Sequence, residues 1–391
     1  MFLKRQRAKV HIYTKNEILL QNVINKDFQG YLKPLNFMQS LLGYPKYLIR
    51  DNFITPNGRC INILSFTVTC LYCTMIIVRG IITGARANII FTKQKTETVF
   101  STTKYFNFGL NAFGHLTNLF SHSSHNATNV LLVLKTQDVL NKLTSRRSLR
   151  NETIRNWVYS AIFFLIFYSL YGYLDCFHRK FHLVEVFTDF VLFSFYVNVL
   201  YAARIIALIR RNVLVWTENL EGMRSKNVKG ETQRWTKMFE IYSLIMDSYI
   251  IYVKVFQELI LYFILDTFLH TLLYIQSWLA YTQTSTSNND PKYRVSLSSY
   301  LSISIYIYLY LYNYIYLSIY TIIKRKDLIV CVICSFGVIT KIMHKNIRRL
   351  YNSCFAKVNL KGLFDVDGTL TLQLVQVTMA NVIVLLQFAF M

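Results

Sequence analysis

Long stretches without a single charged residue constrain this chain more than any other feature. Residues 60–78, 156–174, 296–323 and 368–391 contain no Asp, Glu, Lys or Arg. A hydrocarbon core about 30 Å thick needs roughly 20 apolar helical residues, so each run is long enough to cross it. Three further runs complete the set: 105–125, rich in Asn and His, 186–203, which holds Asp189, and 259–281, which holds Asp266. The pattern predicts an all-α, polytopic membrane protein of about seven helices. Composition agrees, because only 16% of the residues are charged, against about 25% for a soluble domain. So little charge cannot cover a surface in water.

The basic residues then set the orientation. By count along the sequence, 34 Lys and Arg fall in the N-terminal region and in the loops after spans two, four and six, and 8 fall in the alternate loops. Basic residues accumulate on the cytoplasmic side, which predicts a cytoplasmic N-terminus and an extracellular C-terminus. Topology also accounts for the net charge of +23. The basic residues alternate with spans instead of gathering on one face, so nucleic acid is not expected as a partner. The sequons Asn126-Ala127-Thr128 and Asn151-Glu152-Thr153 fall on the cytoplasmic side and are expected to stay unglycosylated. The division that follows is a cytoplasmic region 1–59, spans one to six over 60–323, a cytoplasmic linker 324–367, and a seventh span 368–391.

Two segments stand apart. Residues 296–323 alternate Tyr with Ile or Leu and hold eight tyrosines. Period two belongs to strands, yet a lone strand cannot cross a bilayer with its backbone unpaired. The segment therefore reads as a low-complexity repeat, of the kind a translated non-coding sequence would leave. Cys331 and Cys334 have CxxC spacing but no second pair and no nearby His, so neither metal nor redox use is expected. No nucleotide-binding loop or nucleophile elbow occurs. The chain is expected to be no enzyme and to need no cofactor.

Intramembrane ionisable groups are functional candidates by default. Asp266 and His270 are four residues apart and share a helix face. With Asp189, Tyr274 and Trp278 they are candidates for lining a ligand pocket, against the plainer reading of a buried pair that fixes helix packing. On the last span, Gln373, Gln376, Ala380, Val384 and Gln387 fall within one sector of about 80°. Apolar positions such as Leu374, Ile383 and Leu386 are expected to face lipid. Amides are costly in hydrocarbon, so this stripe should meet other helices or an aqueous path. Arg204, Arg210 and Arg211 after span four, and Arg348 with Arg349 before span seven, suit anionic headgroups.

The C-terminal segment resembles a known family. Lys361-Gly362-Leu363-Phe364-Asp365-Val366-Asp367 leads into the last span, which ends with five apolar residues before Gln387-Phe388. Gly362, Phe364, Asp367, Gln387 and Phe388 match the approach and end of the seventh span of insect gustatory receptors. Ala380-Asn381 stands where that family has Thr-Tyr. The resemblance implies a tastant-gated, non-selective cation channel in the plasma membrane of sensory neurons. It implies four subunits, homomeric or heteromeric, whose seventh helices surround the ion path. Gln387 would then form a polar ring, and Val384 an apolar ring able to gate by dewetting. The alternatives are a seven-span G-protein-coupled receptor, disfavoured by the inside N-terminus, and a secondary transporter, for which neither repeats nor interrupted spans are clear.

Overall fold

The computed structural model describes residues 22–90, 96–143, 150–162, 164–165, 183–224, 231–284, 315, 317–322, 358–360, 364–366, 376, 377, 380, 383 and 387. Of these, 89% are helical. The elements are α1 (Lys26–Leu41), β1 (Leu48–Arg50), β2 (Phe53–Thr55), α2 (Arg59–Ile90), α3 (Thr96–Ser124) and α4 (Asn126–Leu143). They continue with α5 (Leu183–Arg224), α6 (Glu231–Thr284), β3 (Val358–Leu360) and β4 (Phe364–Val366). Residues 150–162 form a further helical segment between α4 and α5. Among the described residues, helices at Arg59–Ile82 and Gln233–Leu273 are long and apolar enough to cross a membrane.

Of the N-terminal region, residues 22–59 are built into the bundle. Helix α1 buries Phe28, Tyr31, Leu32, Leu35 and Met38 and lies against α5. The Tyr31 hydroxyl donates to the Arg204 carbonyl at 3.0 Å, and the Gln39 amide to Asn198 Oδ1 at 3.0 Å. The chain reverses after α1 at Gly43, whose φ is +83°. A Cβ there would also stand 2.8 Å from Val68 Cγ1 of α2, so glycine is required twice over. The returning chain forms the β1–β2 hairpin. Its turn residues Asp51 and Asn52 both have positive φ, the geometry of a two-residue turn that Asp and Asn tolerate best.

Helices α5 and α6 have 42 and 54 residues, about 63 and 81 Å at 1.5 Å per residue. Each far exceeds one bilayer crossing. The charge pattern implies a basic loop between spans four and five over 204–258; its described residues, 204–224 and 231–258, are instead the paired continuation of both helices. Its core follows from apolar residues at three- and four-residue spacing, among them Met238, Ile241, Ile245, Tyr249, Tyr252, Phe256 and Leu259, all buried. Such a stripe holds two helices together, while the charged residues between its members lower the window hydropathy. Trp216 of α5 anchors the pair, its indole donating to the Met238 carbonyl at 2.9 Å and its ring 4.8 Å from Tyr242. Helix α4 packs on the same stretch of α6.

Three helical segments carry their polarity inside out. On α2, Ile63, Leu64, Phe66, Leu71, Ile77 and Ile81 are exposed, while Ser65 and Thr69 are buried. On α3, Phe113, Leu116 and Phe120 are each more than half exposed, while His115, Asn118, Ser121 and His122 are at most 1% exposed. On 150–162, Ile154, Trp157, Val158 and Ile162 are outside, and Asn156 and Ser160 inside. A helix folding in water shows the opposite arrangement.

Arg204 departs from its expected place at the headgroups. It is 1% exposed, donates to Glu152 Oε2 at 2.9 Å and to Asn156, and lies 4.9 Å over the Tyr159 ring. It ties α5 to the 150–162 segment. Arg348, Arg349, Cys331 and Cys334 lie outside the described residues, as does most of the Tyr-rich segment; of the latter, 315 and 317–322 are helical.

Candidate functional site

The polar face of α3 and the middle of α6 build the most elaborate polar cluster among the described residues. Asp266 and His270, one helical turn apart on α6, are both buried, with His270 Nδ1 3.0 Å from Asp266 Oδ1. The other ring nitrogen, Nε2, lies 2.7 Å from Asn107 Oδ1 on α3, and that oxygen also accepts from Asn111 Nδ2 at 3.0 Å. Both imidazole nitrogens therefore face acceptors, which calls for an N–H on each, as an imidazolium opposite a carboxylate supplies. Tyr196 of α5 donates to Asp266 Oδ2 at 3.1 Å, and the Tyr262 hydroxyl lies between Asp266 Oδ1, at 3.4 Å, and the Leu110 carbonyl. One carboxylate thus joins three helices.

Beside it opens a narrow cleft lined by Asn111, Gly114, His115, Phe195, Tyr196, Tyr262 and Asp266. It has room for about one water molecule. Gly114 permits the close approach of its walls, since a Cβ would sit 3.2 Å from Tyr262 Cε1. Aromatic contacts close the floor, with Phe195 and Tyr262 edge to face at 5.0 Å and Phe113 tilted on Tyr262 at 5.3 Å. From the cleft a file of polar groups runs toward α1. His115 Nδ1 meets Ser194 Oγ at 3.2 Å, the Ser194 carbonyl accepts from Asn198 Nδ2 at 3.3 Å, and Asn198 Oδ1 accepts from Gln39. Cleft and N-terminal helix are joined by hydrogen bonds.

Of the pocket residues named from sequence, the structure brings Asp266 and His270 together. Asp189 lies on α5, and Tyr274 and Trp278 lie on α6; the side chains of these three are outside the described part. The partners that sequence reasoning passed over are Asn107, Asn111, Gly114, His115, Ser194 and Tyr196. A signal for three of them was present: Asn107, Asn111 and His115, with Asn118 and His122, recur every three or four residues along α3.

In the C-terminal segment, Gln376, Ala380 and Gln387 are helical and exposed. Ile383, expected toward lipid, falls on the same exposed stripe, being seven residues from Gln376 and four from Gln387. Gln373, Val384, Gly362, Asp367 and Phe388 lie outside the described residues. Phe364 stands in β4 opposite Leu360 of β3, so the approach to the last span includes a hairpin. No family model matches the chain, and no curated protein does.

Proposed function

We propose that this chain is a multi-pass chemoreceptor of the insect gustatory type, a tastant-gated non-selective cation channel of the plasma membrane with a cytoplasmic N-terminus and an extracellular C-terminus. The observation that carries the membrane reading is the inverted polarity of α2, α3 and 150–162. Apolar side chains outside and Asn, His and Ser inside are stable where the surroundings are hydrocarbon. The long continuation of α5 and α6 extends beyond the bilayer on the cytoplasmic side, where the basic residues concentrate.

Ligand recognition is assigned to the cleft between α3, α5 and α6. A tastant larger than water enters only by moving α3 from the other two helices, so its binding favours a second arrangement of the bundle. Asp266, held in place by His270, supplies polar contacts there with Asn111 and His115, and Phe195, Tyr196 and Tyr262 the apolar ones. The seventh helices of four subunits surround the ion path. Gln376 and Gln387 are exposed within the single chain, and amides are costly against hydrocarbon, which supports a protein or aqueous neighbour for that face. Gln387 gives a polar ring and Val384 an apolar one.

Patch-clamp recording from cells expressing the chain, screened with sugars and bitter alkaloids, tests the reading, with Gln387→Ala as companion. A ligand-evoked cation current whose permeation changes in the variant is expected. A receptor that reaches the surface with its N-terminus outside would overturn the reading in favour of a G-protein-coupled receptor.

A further inference from the structure

A buried cation stands where the chain between α1 and β1 meets α2 and α3. Lys46 has no exposed surface. Its ammonium has three N–H donors and one partner among the described residues, Ser121 Oγ at 3.5 Å. Charge-assisted bonds of this kind are usually about 2.7–2.9 Å, so the contact leaves the ammonium weakly held. The same face of α3 adds further polar groups. Ser65 gives its own hydroxyl proton to the Gly43 carbonyl, so His122 donates from Nε2 to Ser65 Oγ at 3.2 Å and, as a neutral imidazole, has no second N–H to offer. Asn118, one turn earlier and fully buried, has neither amide atom bonded. The acid that faces this end of α3 from α6, Glu258, is turned to His125 at 3.4 Å. Among the described residues, donors gather here with no carboxylate beside them.

We infer that Lys46, Ser121 and Asn118 form a site for a small monovalent anion of chloride size, which fastens the re-entrant α1–β1 segment to α2 and α3. Hydroxyl and amide donors beside an ammonium complement such an ion, whereas an ammonium buried without a counter-charge is heavily penalised. The inference does not depend on what gates the channel.

Proton linkage gives it a signature. Burial pushes the Lys46 ammonium down to about 7, below its unfolded value, so the unfolded chain holds more protons between there and about 10.4. Stability from this group therefore rises with pH across that window. An anion beside Lys46 favours its charged form, raises the folded pKa, and flattens the slope by stabilising the low-pH end. The other titratable or charged groups facing this region are Tyr44 and Tyr47 on its own segment, Tyr72 on α2, His122 on α3, His125 between α3 and α4, and Lys254 and Glu258 on α6. Lys46→Met separates its contribution from theirs.

The test is thermal unfolding of the purified full chain in detergent micelles, in sodium chloride against equimolar sodium gluconate, at about pH 6 and about pH 9. Chloride should raise the midpoint by at least about 3 °C at the lower pH, with little effect at the higher. Bromide should replace chloride. Ser121→Ala should weaken the shift, and Lys46→Met should abolish it. Equal midpoints of the wild-type protein in chloride and gluconate at both pH values would overturn the inference. A chloride shift that survives in Lys46→Met would also overturn it. Should that variant fail to fold, the wild-type halide comparison decides alone, because gluconate is too large for the site.

Discussion

Replacing Asp266 by Asn, His270 by Gln, and both together measures how strongly the central polar cluster holds the helices. Asp266 and His270 are each 2% exposed and meet at 3.0 Å, so either single change leaves the partner's charge buried without its counter-charge. Breaking such a pair costs about 3–5 kcal/mol. Asn at 266 also weakens the acceptor for the Tyr196 hydroxyl at 3.1 Å, and a hydrogen bond to a charged group contributes about 1.5–3 kcal/mol. The double variant carries no net charge there, and its two amides can bond each other, so it should lose less than the sum of the singles. A coupling of about 2 kcal/mol or more is expected. Each single substitution should lower the unfolding midpoint by about 6–10 °C, at roughly 2 °C per kcal/mol for a chain of this size. Thermal unfolding of the four proteins in micelles completes the cycle. Strictly additive effects, or single losses under about 1 kcal/mol, would refute the reasoning and leave the pair free for ligand contact alone.

Three further outcomes follow from the packing. Gly114→Ala places a methyl 3.2 Å from Tyr262 and should destabilise by about 1–3 kcal/mol, whereas Gly109→Ala, with nothing within 4 Å, should stabilise α3 by about 0.5–1 kcal/mol; unfolding midpoints moving the same way would contradict the assigned faces. Phe113→Lys and Phe120→Lys, at outward positions 59% and 53% exposed, should each impair membrane insertion by about 2.5–3.5 kcal/mol near mid-bilayer. In a water-facing helix the same changes would fall within about 0.5 kcal/mol, so a normal yield in the membrane fraction would count against a lipid-facing α3. Neither sequon should carry glycan by endoglycosidase mobility shift. Asn126 is in any case committed, its amide bonding the Asn57 backbone at 2.8 and 2.9 Å, so glycan on the exposed Asn151 would be the result that reverses the topology.

Sequence and structure part company at places with a common cause. Uncharged runs reveal α2, because a helix with apolar residues outside and small residues inside is apolar nearly throughout; its inner Ser65 and Thr69 are too few to interrupt the pattern. Helix α3 is harder to read. Its Asn and His residues make 105–125 look like a poor span when hydropathy is averaged, yet at helical spacing they form one face, and that face is the buried one. Averaging discards the angular information that separates a weak span from a helix whose polar side is matched by partners. The same loss conceals the continuation of α5 and α6, where charged residues on the outside dilute an unbroken apolar stripe such as Tyr249–Tyr252–Phe256–Leu259. Asp266 with His270 was legible because both partners lie one turn apart on one helix. The partners of Asn107, Tyr196 and Ser194 were not, since their contacts join residues 70 or more positions apart, and no local spacing encodes which helices become neighbours. Lys46 shows the limit most clearly. In sequence it is one more basic residue supporting the inside N-terminus, and only the reversal at Gly43 turns it from the surface into the bundle, where its charge becomes the feature that most needs a partner.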